Sequence, residues 1–342
     1  MKNSLKNFSY EEIQNWAKAQ GLRSFVGKQL FEWLFDKKVR SASEMRNIKK
    51  EVRDLVDRSG EIDLLKNESH EISPDDNSEK FLFRCLDGHA LETVLIRSPQ
   101  RTTLCISSQI GCAMGCSFCR TSGMGLVRNL SSGEMLEQFI QVSRMTRDPI
   151  TNVVFMGMGE PFDNYEQSIK AAVVLNHEKG PNIAARRITL STAGLVPRIR
   201  DFARLPYQFR LAVSLNAADN AKRNALMPIN RRYPIEELLQ AAKYYTDISN
   251  RHITFEYVLI RGINDSPGDA AELRKKLTSI PCKLNIIPFN ETGSSFRRPS
   301  DAEVRDFISL LDDVNFAVTL RNSGGRGIHA ACGQLYHEER RS

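Results

Sequence analysis

Gly111-Cys112-Ala113-Met114-Gly115-Cys116-Ser117-Phe118-Cys119 places three thiols at C-x3-C-x2-C spacing, with an aromatic residue just before the last. Three closely spaced thiolates can hold three irons of a [4Fe–4S] cube, and no further cysteine lies near enough in sequence to supply the fourth. The fourth iron is then open to a small molecule. Two other readings of the run are a structural zinc site with a distant fourth ligand and three unrelated core cysteines. Paired C-x2-C knuckles would favour zinc, whereas a single asymmetric triplet beside an aromatic residue favours the cluster.

Outward from the triplet, strand character precedes it at 102–107 and follows it at 152–156, 187–191, 209–215, 253–260 and 283–288, each stretch leading into helical periodicity. Six strand–helix units imply a parallel sheet and an α/β fold, either an incompletely closed barrel or an open doubly wound sheet. In both, ligands bind at the carboxyl ends of the strands. The informative polar residues fall there. The cysteine loop follows the first strand, and Gly157-Met158-Gly159-Glu160-Pro161 follows the second. Ser191 ends the third, Ser214, Leu215 and Asn216 end the fourth, and Asn290 follows the sixth.

Residues 1–72 carry apolar positions at helical spacing, among them Ile13, Trp16, Leu30, Leu34, Met45, Val52 and Val56, and predict a compact three- or four-helix module. Ser73-Pro74-Asp75-Asp76-Asn77-Ser78 is the best linker candidate in the chain. Two alternating stretches, 80–86 and 90–96, joined by Asp87-Gly88, predict a β-hairpin. The expected organisation is a helical module over 1–72, linker and hairpin over 73–97, and an α/β core over 98–342.

The 342 residues, 41% of them hydrophobic, suffice for one large domain and a smaller one. The start lacks an apolar signal-peptide core, and no uninterrupted apolar run is long enough to span a bilayer, so a cytoplasmic protein without membrane attachment is expected. Seven cysteines in a reducing compartment are ligands, nucleophiles or buried apolar groups sooner than structural disulfides. A formal charge of +7 admits a polyanion partner. Basic pairs such as Lys37-Lys38 and Lys49-Lys50 suit phosphates, although most such pairs are solvated surface.

Glycines in 157–161 let backbone approach a ligand closely, and Pro161 fixes the exit, so the segment is a cofactor loop or an ordinary strand-to-helix turn. One unit after a cysteine triplet, it resembles the Gly-Gly-Glu-Pro type segment of radical S-adenosylmethionine (SAM) enzymes, where backbone groups and a carboxylate hold the amino end of SAM. Two more cysteines stand out. Cys105 lies in Leu-Cys-Ile-Ser-Ser-Gln just upstream of the triplet, and Cys332 lies in Ala-Ala-Cys-Gly-Gln-Leu after a mobile-looking Ser323-Gly324-Gly325-Arg326-Gly327. Cys85 and Cys282 are expected to be buried as small apolar groups.

These strings, together with Arg128-Asn129-Leu130, Leu226-Met227-Pro228-Ile229-Asn230 and the run from Lys283 to Asn290, make the chain resemble the RlmN/Cfr family of radical SAM RNA adenosine methyltransferases over nearly its whole length. The resemblance implies a partial (β/α)6 radical SAM barrel with an N-terminal helical RNA-binding accessory domain and a short β-hairpin extension. It implies a [4Fe–4S] cluster on Cys112, Cys116 and Cys119, with SAM held by Gly159, Glu160, Ser191, Ser214, Leu215, Asn216 and Asn290. It also implies methylation at carbon 2 of adenosine in 23S rRNA and tRNA by a monomer. Its further partners would be an electron donor such as flavodoxin or ferredoxin, and a thiol reductant.

Carbon 2 of adenine does not attack a sulfonium methyl, so a radical route is needed. In the family's mechanism one SAM methylates Cys332, whose thiolate is the nucleophile. A second SAM yields a 5′-deoxyadenosyl radical that takes hydrogen from the new S-methyl group, and the methylene radical adds to the ring. By position Glu92 is the proton acceptor, a residue that otherwise reads as an exposed strand carboxylate. Cys105 resolves the adduct by forming a transient disulfide with Cys332, which the reductant reopens.

Three places depart from the family pattern. Asn216 stands where His is usual, Gly327 and His329 stand where Asp is usual, and Arg120 replaces a small residue after the last cluster cysteine. The sequence leaves open methylation at C8 of the Cfr type and a paralogue with another RNA target. It also leaves a noncatalytic iron–sulfur or zinc RNA-binding protein, against which the paired Cys105 and Cys332 argue. A radical SAM enzyme acting on protein or metabolite is disfavoured by the terminal Cys-Gly-Gln-Leu and the helical module.

Overall fold

Ser9 opens the first long helix, Tyr10–Ala19, by reciprocal capping: its hydroxyl accepts from the Glu12 N–H, and the Glu12 carboxylate accepts from the Ser9 N–H. With the helices Ser24–Phe31 and Lys50–Ser59 it buries Ile13, Leu30, Phe31, Leu34, Phe35, Val52 and Val56 in a core continuous with that of the sheet. Lys6, fully buried, is ion-paired to Glu137 on the helix Ser132–Met145. The N-terminal module is thereby keyed into the α/β core. The structure, a computed structural model, describes residues 4–321 and 323–336.

The strands are β1 (Leu65–Ile72), β2 (Glu79–Cys85), β3 (Ala90–Ser98), β4 (Arg101–Cys105), β5 (Gln109–Gly111), β6 (Leu126–Asn129), β7 (Asn152–Phe155), β8 (Ile188–Thr192), β9 (Arg210–Ser214), β10 (Ile253–Leu259), β11 (Cys282–Pro288) and β12 (Ala317–Leu320). Ten of them form one sheet in the order β1-β2-β3-β4-β7-β8-β9-β10-β11-β12, and β5 pairs with β6 separately. From β4 to β12 every pairing is parallel, while β1 to β4 pair antiparallel. The six predicted parallel strands are β4 and β7 to β11, each within about two residues of its expected bounds. They make the radical SAM type of open barrel, extended at one edge by the hairpin. Among the described residues no helix is long and apolar enough to cross a membrane.

Two expectations are corrected. The helical pattern assigned to 1–72 ends at Ser59, and Leu65–Ile72 is a strand instead. Most of its residues are exposed, so it is held by its ladder to β2 and not by an apolar pattern of its own. The polar run 73–78 is accordingly no linker but the turn between β1 and β2. The Ser73 N–H donates to the Ser78 carbonyl at 2.8 Å, and both serines are buried. The Asp87-Gly88 hairpin forms as expected, with the Cys85 N–H donating to the His89 carbonyl at 2.8 Å.

Candidate active site

Ladder register gathers the expected residues on one face of the sheet. Val94 pairs with Cys105, Cys105 with Val154, Val154 with Thr189, Ser191 with Ala212, and Ser214 with Glu256. Paired residues share a face and side chains return to it every second position, so Glu92, Cys105, Ser191, Ser214 and Glu256 lie together. The opposite face carries Leu104, Val153, Phe155, Leu190, Leu211, Val213 and Phe255, all buried with helix residues such as Ile140, Ala171 and Ile199.

The small β5–β6 hairpin brackets the cysteine loop, where the Cys112 N–H donates to the Gly125 carbonyl at 2.9 Å. The Cys119 N–H donates to the Cys116 carbonyl at 3.1 Å, and the Cys116 N–H to Ser122 Oγ at 3.2 Å. Burial pushes the Cys116 thiol up, and the neighbouring Cys119 and Cys112 push it further. Burial pushes the Cys112 thiol up to about 12. Thiols so placed lose their protons on binding iron. Among the described residues no three His, Cys, Asp or Glu side chains converge as a single bound ion would require.

Sequence reasoning missed Arg223, a fully buried arginine near Cys116. Its Nε donates to Leu215 O at 2.9 Å, its Nη2 to Ala193 O at 2.8 Å and Ser214 O at 3.0 Å, and its Nη1 to Asn230 Oδ1 at 2.9 Å. The guanidinium therefore ties the ends of β8 and β9 together through three carbonyls. The only signal in the sequence was its place on the short helix Asn220–Leu226 that leads into Leu-Met-Pro-Ile-Asn.

In the loop after β7, Gly159 has φ +97°, and a Cβ there would lie 2.5 Å from Gln109 Cβ, so no other residue fits. Glu160 is buried, with Oε1 accepting from the Phe162 N–H at 2.9 Å and Oε2 from the Ala193 N–H at 2.7 Å. Burial pushes its carboxyl up to about 7 against those two donors. Its carboxylate thus braces the β7 and β8 loops, and Gln109 Oε1 accepts from the Glu160 N–H at 2.8 Å. Asn216 is likewise committed to the scaffold: its Oδ1 accepts from the Val258 N–H at 2.8 Å and its carbonyl accepts from Asn264 Nδ2 at 2.8 Å. Its φ of +57° is one that Asn tolerates well.

Asn290 faces the terminal cysteine, donating through Nδ2 to Ser323 Oγ at 3.0 Å and to Cys332 O at 3.2 Å. Its Oδ1 is buried with no hydrogen-bond partner, an acceptor left for a ligand. The three clustered thiols, the Gly159 cradle and this open acceptor fit a [4Fe–4S] cluster and SAM.

The segment that looked mobile is anchored at Gly325. Gly325 has φ +72°, its N–H donates to Asp76 Oδ2 at 2.7 Å, and a Cβ there would lie 2.7 Å from Ala330 Cβ. Beyond Cys332 the chain threads between the cluster loop and the hairpin. The Arg120 N–H donates to the Gly333 carbonyl at 2.8 Å, Thr121 Oγ1 to the Leu335 carbonyl at 2.6 Å, and the Tyr336 N–H to Glu92 Oε2 at 2.9 Å. Glu92 is thus buried, not exposed. Burial pushes the Cys105 thiol up to about 12, reinforced by the nearby Cys332 and opposed by Arg321. All seven cysteines are free thiols, and Cys85 and Cys282 are buried as expected.

The family model of the Radical SAM superfamily matches residues 106–273, and that of the ribosomal RNA large subunit methyltransferase N-terminal domain matches residues 3–62. A dual-specificity RNA methyltransferase RlmN from Geotalea uraniireducens is 44% identical, the match covering 98% of this chain and 96% of the relative. Another from Syntrophobacter fumaroxidans is 44% identical with 98% of each chain covered. The chain belongs to the RlmN family. The crystal structure of a radical SAM methyltransferase from Sphaerobacter thermophilus superposes with a TM-score of 0.94 at 41% identity, covering 98% of this chain and all of that one.

Within the RlmN family pattern, the departures acquire local roles. The Arg120 guanidinium lies over the Tyr336 ring, 4.8 Å from its centroid, and fastens the chain just after Cys332 to the cluster loop. Where the family usually has Asp, a Cβ on Gly327 would lie 3.0 Å from Asp75 Oδ2. Carboxylates beside this loop come here from the β1–β2 turn.

Proposed function

We propose that the chain is a radical SAM RNA methyltransferase that methylates carbon 2 of adenosine in 23S rRNA and tRNA. In this reading Cys332 is the methyl carrier, Cys105 the resolving thiol and Glu92 the proton acceptor. The observation that carries it is the meeting of Cys105, Cys332 and Glu92 beside the cysteine loop, although they come from β4, the C-terminal segment and the β3 hairpin. An RNA-binding protein without this chemistry has no use for that convergence.

Cys112, Cys116 and Cys119 would hold the [4Fe–4S] cluster, and Gly159, Ser191, Ser214 and Asn290 would contact SAM. Glu160, Leu215 and Asn216 would shape that pocket through the backbone. When bound, the cluster and SAM would supply one-electron cleavage of SAM to a 5′-deoxyadenosyl radical. Cys332 takes the methyl group as a thiolate and later holds the RNA covalently. Glu92 receives the ring proton, and Cys105 displaces the product by pairing with Cys332, so an external thiol reductant has to restore both thiols. A flavodoxin or ferredoxin as electron donor, a cytoplasmic location and a monomeric state complete the reading.

The test is anaerobic reconstitution with iron and sulfide, then incubation with SAM, reductant and unmodified 23S rRNA or tRNA fragments. Nucleoside analysis should find the methyl on carbon 2. A methyl on carbon 8 would assign the Cfr type of reaction, and no methylated adenosine from either RNA would overturn the substrate.

A further inference from the structure

Glu92 is a carboxylate with a side chain only 7% exposed, on a sheet face that is otherwise apolar at Leu82 and Val94. A carboxyl group in such a place tends to keep its proton, and a protonated one cannot accept another. The site meets this difficulty from the neighbouring strand. In the β2–β3 ladder Leu82 is opposite Glu92 and Lys80 is opposite Val94, which makes Lys80 the diagonal neighbour of Glu92 on the same face. Lys80 Nζ lies 3.6 Å from Glu92 Oε1, and its side chain is 12% exposed.

We infer that Lys80 is the positioning residue that keeps Glu92 ionised, holding Oε1 so that Oε2 is the oxygen that takes the ring proton. The inference rests on the reading of Glu92 as proton acceptor. In that step the ring C–H bond breaks, its electron pair stays with the ring, and the proton passes to Oε2. At present Oε2 accepts from the Tyr336 N–H at 2.9 Å, a place that substrate would take over.

The groups around the carboxylate define the balance. Burial pushes Glu92 up, the Lys80 charge and the Tyr336 N–H pull it down, and Glu71 on β1 pushes it up. Glu71 also competes for the same ammonium, its Oε1 lying 3.5 Å from Lys80 Nζ. Cys105 lies on the same face one strand beyond Val94, and the Arg120 guanidinium lies over the Tyr336 ring. Of these, Lys80 is the cation paired with Oε1, and it is anchored on a strand rather than on a loop.

The experiment uses the full-length reconstituted protein with an RNA fragment and follows three quantities against pH: S-methylation of Cys332, 5′-deoxyadenosine formation and released methyladenosine. Lys80→Met removes the ammonium and raises the carboxyl pKa. The acid limb of product release should then move up by about one pH unit, with a protein–RNA adduct accumulating below it. Within a single turnover, S-methylation and 5′-deoxyadenosine formation, which precede proton transfer, should stay at wild-type levels. Lys80→Arg should return the limb towards wild type. Glu71→Gln, at a half-exposed position, should move it down, because a like charge and a competitor for Lys80 are both removed.

An unmoved limb in Lys80→Met overturns the inference. If that variant fails to fold, Glu71→Gln decides alone, a downward shift supporting the inference and none overturning it. Glu92→Gln separates the two readings. Product release at the wild-type rate in Glu92→Gln ends the assignment of Glu92 itself. A trapped adduct there, beside an unmoved limb in Lys80→Met, ends only the role of Lys80.

Discussion

Glu92 and Cys105 lie on one face of adjacent antiparallel strands, because Cys105 is directly opposite Val94 and Glu92 is two residues from Val94 along β3. The proposed proton acceptor and the proposed resolving thiol are thus set by backbone register, not by loop conformation. The hairpin extension then has a direct use, since without β3 the barrel edge at β4 would carry Cys105 and no carboxylate beside it.

Cys332→Ala should leave the cluster site intact and stop methyl transfer. Asn290 holds this residue through its carbonyl, so the backbone hydrogen bond survives the substitution. Intact-protein mass after incubation with SAM should show one added methyl on the wild type and none on the variant. RNA methylation by the variant would mean that methyl passes to RNA without a cysteine carrier.

Lys6→Met should destabilise the whole chain. Glu137 is fully buried and paired with Lys6, so removing the ammonium leaves a buried carboxylate with only Gln141 and the more distant Arg144 beside it. The expected loss is about 3 kcal/mol, measured by denaturant unfolding, and the double change Lys6→Met with Glu137→Leu should recover most of it. An unchanged unfolding midpoint in the single variant would show that the N-terminal segment is not keyed to the core.

The parallel strands were legible in the sequence because their apolar runs are buried on the helix side whatever their neighbours do. Leu65–Ile72 was not, since an exposed edge strand carries almost no pattern and exists through pairing with β2. The three cysteines proposed as cluster ligands stood out by their spacing, since all lie within one nine-residue run. Arg223 and Lys80 did not: one acts on three carbonyls at the ends of two strands and the other on a carboxylate in the next strand. Such roles arise only when the sheet closes, and a single basic residue in sequence looks like solvated surface.

Arg46, Lys49 and Lys50 are exposed on the N-terminal module and are suited to binding phosphates. Replacing all three by Ala should weaken RNA binding and flatten its salt dependence. The slope of log affinity against log salt should fall by about 0.7–0.9 for each phosphate that is no longer neutralised. SAM-dependent methylation of Cys332 in the absence of RNA should not change. An unaltered slope would move the RNA-binding surface to the barrel. A simple deletion of the module is a poorer test, because it would strip Lys6 from Glu137 and, if extended past Ile72, β1 from β2.

Cys105→Ala should trap the reaction in mid-course. Cluster binding, methylation of Cys332 and addition to the ring use no group of Cys105, whose thiol is buried and held up near 12 in the resting site. In the proposed mechanism it is called upon only when the RNA must leave the Cys332 methylene, at which point Arg321, the nearby cation that already lowers its pKa, would favour the thiolate. The Ala variant should therefore accumulate a covalent protein–RNA species that withstands denaturant and collapses on ribonuclease treatment. The wild type should show it only transiently. Normal turnover by the variant, or inactivity with no adduct, would remove Cys105 from the mechanism.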